Sequence, residues 1–301
     1  MKKKEISIHF ADFWPHFNPY DNYFINLLKL KYNVTLNPKN PDLLFHSVDF
    51  SGNEDHKKFD NGFTKKIFFT GENVEPNFDT SHYSLSFSET LGQNNYRLPL
   101  WILFIDWFDN KIKLERDPSF LIPHKFLTSK RTSNLLLKPF FCSFIASKPS
   151  GARVEFVPKL NDKKKVHCLG RLYSNSFYRA MGRGDEISKI NSMKLFRFNI
   201  AFESAQSSGY ITEKILHSFF AKSVPIYWGA NEVEKEFNIN SFINTSNFES
   251  YEHCIEHIIE VENNKKNLKE YMESPIFNDN KIPENAQPES VLAFFDKVVR
   301  D

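Results

Sequence analysis

Residues 194–229 read KLFRFNIAFESAQSSGYITEKILHSFFAKSVPIYWG. Phe196, Phe198, Ile200 and Phe202 alternate with Arg197, Asn199 and Ala201, the period of a strand. A polar loop from Glu203 ends at Gly209, and Ile211, Ile215, Phe219 and Phe220 then recur at helical spacing. Val224-Pro225-Ile226-Tyr227-Trp228 is a second apolar strand, closed by Gly229. Strand, helix and strand over this length form a βαβ unit, which implies a parallel sheet with covering helices. In such units a ligand sits beyond the carboxyl ends of the strands, facing the helix N-terminus.

The residues at that end carry chemistry. The sequence predicts a helix start at Gly209-Tyr210-Ile211-Thr212-Glu213-Lys214. Free N–H groups of a first helical turn, with their partial positive charge, suit a diphosphate. Lys214 adds a full cation, and Glu213 can accept hydrogen bonds from vicinal hydroxyls such as those of a ribose. Gly209 lets the backbone approach closely, and Tyr210 offers a ring for a base. A glycine-led helix start with a charge pair accounts for the same residues on local grounds. Neither G-x-x-x-x-G-K-[ST] nor G-x-G-x-x-G is present, so the ordinary nucleotide signatures are not what marks this site.

Outward from this unit the pattern repeats. Ile6–Phe10 alternates as a strand, Phe24, Leu27, Leu28 and Leu30 follow at helical spacing, and Val34–Leu36, Leu43–Phe45 and Ile67–Phe69 read as further strands. The last ends at Thr70-Gly71-Glu72-Asn73. A carboxylate placed there, after a buried strand, suits a general base, while a solvated turn glutamate is the plain alternative. Residues 109–138 are polar and weakly periodic and divide the chain into halves, 1–138 and 139–301. In the second half Phe141, Ser143 and Ile145 mark a strand. Val154, Phe156, Val157 and Leu160 mark a helix whose last turn Pro158 threatens. Asn161–Lys165 reads as a solvated turn. Arg153 opens that helix, where a guanidinium would clamp phosphate or simply face solvent.

Composition narrows the classes. The chain has 301 residues, 41% of them hydrophobic and 25% charged, which describes folded globular structure of about two domains. Lys and Arg number 39 against 37 Asp and Glu, a near balance that argues against a general nucleic-acid binder. Three scattered cysteines, Cys142, Cys168 and Cys254, fit neither a disulfide framework nor a thiolate zinc site and favour a reduced, cytoplasmic compartment. Glu5 and His9 interrupt any secretory signal, and the longest apolar runs, 98–105 and 139–147, are far short of a membrane span, leaving peripheral contact with the inner face of a membrane open.

His253-Cys254-Ile255-Glu256-His257 matches the H-x-x-E-H zinc-protease pattern. The apolar positions Tyr251, Cys254, Ile255, Ile258 and Ile259 put those polar residues on the solvated side of a helix, so a protease is the outside reading. His217 reads as a packing or surface residue, and Phe13, Trp14, Phe17, Tyr20 and Tyr23 as a sugar platform or as loop packing.

Together these motifs resemble one family. Phe198-Asn199-Ile200-Ala201-Phe202-Glu203, Gly209–Ile215 and Val224–Gly229 closely resemble the α-1,3-fucosyltransferase signature. Thr70-Gly71-Glu72-Asn73 with Pro76-Asn77-Phe78 resembles its N-terminal motif, and 18–24, 97–100 and 292–295 fit in the same order. The chain resembles a bacterial member, without the anchor and stem of Golgi relatives. The resemblance implies a GT-B fold, two Rossmann-like domains facing each other across a cleft, with the last helix, about 289–300, packing back on the first. It implies inverting transfer of L-fucose from GDP-β-L-fucose to the GlcNAc hydroxyl of an N-acetyllactosamine-type glycan, in lipopolysaccharide Lewis-antigen synthesis. Glu72 is the implied general base. Arg153 and Lys214 would hold the diphosphate, Tyr210 and Glu213 the guanosine part, with Glu203, Ser204, Gly209 and Thr212 around the donor and Phe13, Trp14 and Asn73 toward the acceptor. No metal ligand or required cofactor is implied, and Mn or Mg would at most stimulate.

The chain departs from the family pattern in two places. Ser204 stands where the family often has Asn, and 168–175 follows the family's Gly-rich segment loosely, leaving the part of Arg171 open. The chain stops soon after Phe295, so the heptad repeats and basic tail of some relatives are not expected. A catalytically silent GDP- or glycan-binding homologue and a GT-B enzyme of another donor or acceptor are the alternatives.

Overall fold

All strand pairs of the two main sheets are parallel. The computed structural model describes residues 3–50, 52–89, 91–108, 121–176 and 186–300. They divide into two units: the chain up to Leu103 together with the segment from Glu284, and Phe104–Pro283. The expected boundary at 138/139 therefore falls inside the second unit. Of the polar stretch that suggested it, 109–120 lie outside the described residues. The remainder joins the second unit through buried groups: Arg131 donates to the Ser274 carbonyl at 2.6 Å and stacks 5.0 Å from the Phe219 ring centroid.

The first unit is built on β1 (Glu5–Ala11), β2 (Asn33–Leu36), β3 (Leu43–His46), β4 (Lys65–Phe69), β5 (Tyr83–Ser86) and β6 (Asn95–Arg97), in the order β2-β1-β3-β4-β5-β6. Helix α1 (Tyr23–Lys29) begins where Asn22 accepts the Ile25 N–H at 3.0 Å. It buries Phe24, Leu27 and Leu28 over the sheet, where Phe24 stacks on Phe45 at 4.9 Å. The last helix, Pro288–Arg300, belongs to this unit, with Phe295 buried against Phe45 and Asp296 accepting from Tyr32 at 2.7 Å.

The second unit opens with the short pair β7 (Ile105–Asp106) and β8 (Ile122–Pro123), followed by helix α2 (His124–Thr128). Its sheet comprises β9 (Phe140–Phe144), β10 (Val166–Cys168), β11 (Phe196–Phe202), β12 (Val224–Trp228) and β13 (Ile243–Asn244), ordered β10-β9-β11-β12-β13. Helices α3 (Gly151–Lys163), α4 (Glu186–Met193), α5 (Glu213–Phe220), α6 (Tyr251–Asn263) and α7 (Lys265–Glu273) surround it. Phe156 and Leu160 from α3 and Ile255 and Ile258 from α6 pack over Phe144, Phe198, Phe202 and Ile226 in one core. Each fully buried Phe of that kind contributes about 2–3 kcal/mol. In mid-sheet, Asn199 is satisfied by Ser143 at 2.9 Å and Ser218 at 2.7 Å.

Two expected boundaries move. Helix α3 passes Pro158 and runs to Lys163, taking in the first three residues of the turn expected at 161–165. The bond Pro158 cannot make would have gone to the carbonyl of Val154, an exposed residue whose carbonyl water can serve. Helix α5 begins at Glu213 and not at Gly209, because Thr212 is held in extended backbone by a side chain from β11's end.

Candidate active site

In the second sheet the order of connection reverses between β9 and β11, and such a switch point is where α/β sheets open a crevice at their carboxyl ends. Phe202 ends β11 there, and Glu203 follows it with a fully buried side chain. Its Oε1 accepts the Thr212 N–H at 2.7 Å, and its Oε2 accepts the Thr212 hydroxyl at 2.7 Å and Lys214 Nζ at 3.1 Å. Lys214 Nζ also donates to Thr212 Oγ1 at 2.8 Å. Gly229 makes room for this carboxylate, since a Cβ there would stand 2.6 Å from Glu203 Cγ.

Burial would lower the Lys214 ammonium, but Glu203, Glu213 and Tyr210 hold it above the ordinary lysine value. Burial would likewise raise Glu213, yet Lys214, Lys189 and His217 hold it well below the usual carboxylate range. Glu213 heads α5, 3.8 Å from Lys214 Nζ and 3.5 Å from Lys189 Nζ. The helix start therefore presents a fixed cation, a fixed carboxylate and first-turn N–H groups together.

Arg153 reaches the same place from α3. Its Nη2 donates to the Phe202 carbonyl at 2.7 Å and its Nη1 to the Lys148 carbonyl at 3.2 Å. The guanidinium thus bridges the loop after β9 and the end of β11, across the switch point. Its buried Nε–H has no acceptor among the described residues, and burial lowers its pKa against the pull of Glu203, Tyr210 and Glu213. The expected solvent-facing alternative for Arg153 does not hold.

Tyr210 is a buried ring whose hydroxyl lies 3.3 Å from Ser204 Oγ, so its face is not the open platform a base would need. Gly209 has φ +73°, which an L side chain rarely adopts, and its N–H donates to Glu232 at 3.3 Å. Lys189 and Glu232, which shape this end, escaped the sequence reading. Lys189 sits on a helix with no motif of its own, and Glu232 joins through a loop contact that spacing does not reveal.

In the first unit Glu72 stands three residues beyond β4 with an exposed side chain. Its N–H donates to Thr70 Oγ1 at 3.1 Å and its carbonyl accepts from the Val74 N–H at 2.8 Å, which fixes the backbone and leaves the carboxylate open. Gly71 packs against Leu100, 2.8 Å from where a Cβ would stand. Asn73 is half-buried. Phe13 and Trp14, beyond β1, pack with Phe17, the Phe13 and Phe17 rings stacking at 4.2 Å. Tyr23 is buried and Tyr20 exposed, so the five aromatics do not form one platform.

One group among the described residues, Asp12, His46 and His56, brings potential metal ligands together. Asp12 already accepts the N–H groups of Asp55 and His56 and the His56 ring at 2.5 Å. The two imidazoles stack only 16° from parallel, so their in-plane lone pairs do not converge on one point. Burial, with His56 and Lys66 nearby, pushes His46 down to about 3, leaving a neutral ring. His253, Glu256 and His257 form no such group: His253 is 57% exposed and His257 bonds the Tyr271 hydroxyl at 3.1 Å.

Residues 138–275 match the model of the C-terminal part of glycosyltransferase family 10 (fucosyltransferase), and 8–104 match that of the α-(1,3)-fucosyltransferase FucT N-terminal domain. The chain belongs to glycosyltransferase family 10. Among family members it is 29% identical to the α-(1,3)-fucosyltransferase FucT of Helicobacter pylori over 93% of this chain and 62% of that enzyme. It is 25% identical over 53% of its length to 4-galactosyl-N-acetylglucosaminide 3-α-L-fucosyltransferase 9 of Rattus norvegicus, covering 44% of it. The chain thus spans less than two thirds of these family 10 relatives. A crystal structure of an α1,3-fucosyltransferase superposes with a TM-score of 0.79 at 26% identity, covering 99% of this chain and 91% of that one. A complex of such an enzyme with GDP-fucose superposes at 0.76 with 25% identity, covering 100% and 92%. Two α/β units with parallel sheets, matched over this length, are the GT-B fold of family 10.

Proposed function

We propose that this chain is an inverting fucosyltransferase that moves L-fucose from GDP-β-L-fucose to the GlcNAc hydroxyl of an N-acetyllactosamine-type glycan in α-1,3 linkage. The observation that carries this reading is the cluster at the β9/β11 switch point. Arg153, Lys214 and the first turn of α5 bring N–H donors together where two strand ends part, and Glu203 holds Lys214 in place. Family membership and the GDP-fucose complex of a related enzyme support the donor.

In the proposed step Glu72 takes the proton of the acceptor hydroxyl as its oxygen attacks the anomeric carbon. The bond from that carbon to the diphosphate breaks with oxocarbenium-like character, by analogy with glycoside hydrolysis. The electron pair leaves with GDP, and Lys214, the α5 N–H groups and the Arg153 guanidinium stabilise the growing charge. Glu213, kept ionised, accepts ribose hydroxyls. Attack opposite to the departing group inverts β to α. Two protein cations face the diphosphate in this reading, so Mn or Mg is not required and would at most stimulate.

Phe13, Trp14 and Asn73 are the proposed acceptor contacts. The acceptor is a lipopolysaccharide chain receiving a Lewis-type branch, handled in the cytoplasm at the inner face of the membrane.

The deciding experiment is fucose transfer from GDP-fucose to N-acetyllactosamine, with lactose and a type-1 disaccharide alongside and the product linkage read by NMR. An α-1,3 product on N-acetyllactosamine is expected. GDP binding without transfer to any acceptor would instead favour a silent homologue, and no GDP binding would overturn the reading.

A further inference from the structure

At the other end of the second unit's sheet, the amino edge, the turns entering successive strands carry an unusual set of side chains. The strand order places them side by side: Lys163 and Lys165 before β10, Leu136 and Leu137 before β9, Lys194 before β11 and Lys222 before β12. Neighbouring strands lie about 4.8 Å apart, so these turns form one continuous row. Leu136 is 92% and Leu137 68% exposed, on a short 3-10 turn pinned by Asn134, which accepts the Leu136 N–H at 3.2 Å. The four lysines are exposed. Among the described residues Lys194 Nζ donates only to Asn191 at 2.8 Å, whereas the inner cations Lys164 and Arg197 are taken up by buried Glu262. Asp162 is an exposed carboxylate within the row.

Lysines at the ends of α3, α4 and α5 also complement helix dipoles, which explains each singly. It does not explain two adjacent leucines held out into solvent between them. Single exposed apolar residues are ordinary, but a pair this open on an ordered turn is not.

We propose that this edge docks on an anionic lipid surface, with Leu136 and Leu137 entering the headgroup boundary and Lys163, Lys165, Lys194 and Lys222 meeting lipid phosphates. Charge complementarity selects this occupant. A nucleic acid would pair with the lysines but leave the leucines in water, and a second copy of the same row would oppose like charges. Apolar side chains ringed by cations are the arrangement that interfacial anchors use. Docking there leaves the carboxyl end of the same sheet, with Arg153 and Lys214, pointing away from the lipid. The inference does not depend on turnover.

The test is co-sedimentation of the full chain with vesicles of phosphatidylcholine alone or with 30% phosphatidylglycerol, about physiological salt. Binding to the anionic vesicles is expected and should weaken with added salt. The double variant Leu136→Ser/Leu137→Ser should reduce partitioning by about tenfold or more, and Lys163→Glu/Lys194→Glu by at least about fivefold per charge. GDP binding by each variant, measured in parallel, shows that the second unit is intact. Absence of anionic-vesicle binding by the wild-type chain overturns the proposal. So does binding unaffected by either variant, or a dimer that the leucine substitutions dissolve.

Discussion

Lys214 Nζ lies 3.1 Å from Glu203 Oε2, and Thr212 is bonded to both side chains. The carboxylate comes from the end of β11 and the ammonium from the first turn of α5, so the pair locks strand end to helix start. Lys214 keeps about a quarter of its side-chain surface open while Glu203 keeps none. The cation is therefore held for something outside the pair, and the anion serves as its buried anchor.

Glu203→Gln should destabilise the chain by about 3 kcal/mol, since breaking a buried pair leaves the partner group uncompensated. It should also lower GDP affinity, because Lys214 and Thr212 lose their anchor. Lys214→Ala strands the fully buried Glu203 carboxylate, so it should cost at least as much stability, and it should also cost about ten- to a hundredfold in GDP affinity, the worth of a charge-assisted hydrogen bond. Urea denaturation and isothermal titration with GDP separate the two effects. An unchanged GDP affinity in Lys214→Ala would remove Lys214 from the donor site.

Glu72→Gln should behave differently. The carboxylate is exposed and the turn is held by backbone contacts to Thr70 and Val74, so thermal stability and GDP binding should stay at wild-type levels. Transfer should fall by about 10²- to 10⁴-fold, the usual contribution of a positioned general base. Full turnover in this variant would mean that another group takes the proton.

The contrast between Glu72 and Glu203 shows what the sequence makes legible. Both follow an apolar strand, and pattern reading places both near a crevice. Strand alternation, helical spacing and the Gly-led loop locate the parallel sheets because burial imposes those periods directly. Burial at the end of a strand has no period, so Glu203's role as an anchor and the closed face of Tyr210 depend on packing by Gly229 and Ser204. The start of α5 at Glu213 was equally hidden, since Glu203 lies nine residues back from the Thr212 N–H it captures. Lys189 carries no local signature and enters only because α4 packs beside α5. Polarity marks 109–138 as a divide, yet Arg131 and Lys138 within it are buried in the second unit, which no local pattern reveals.

Arg153→Lys tests whether shape matters beyond charge. Lysine keeps the charge but concentrates its donors on one nitrogen, so it loses the planar fork whose two Nη atoms reach the Phe202 and Lys148 carbonyls separately. GDP affinity should drop about tenfold and the melting temperature should fall by several degrees, as one buried carbonyl loses its donor. Arg153→Met should weaken GDP binding further. Equal affinity in the Lys variant and wild type would show that any cation suffices.

Lys138 yields a prediction about pH. Its Nζ donates to the carbonyls of Lys194, Phe196 and Ala221 at 2.9, 3.0 and 2.9 Å at the amino edge of the second sheet. Burial first, then Lys222, Lys194 and Arg197, lowers the ammonium from 10.5 to about 7 in the folded chain. The unfolded chain then binds more protons than the folded one between those values. Stability rises with pH wherever that holds. The cost of charging Lys138 is thus fully present below about 7 and disappears as pH climbs toward 10.5. It contributes a slope of up to about 1.4 kcal/mol per pH unit in that window. Urea midpoints of wild type and Lys138→Met, measured from pH 6 to 10, isolate this contribution as their difference. The variant should lose the rising slope. Parallel pH profiles for the two proteins would mean that the three carbonyls hold the ammonium at its ordinary pKa, outweighing burial.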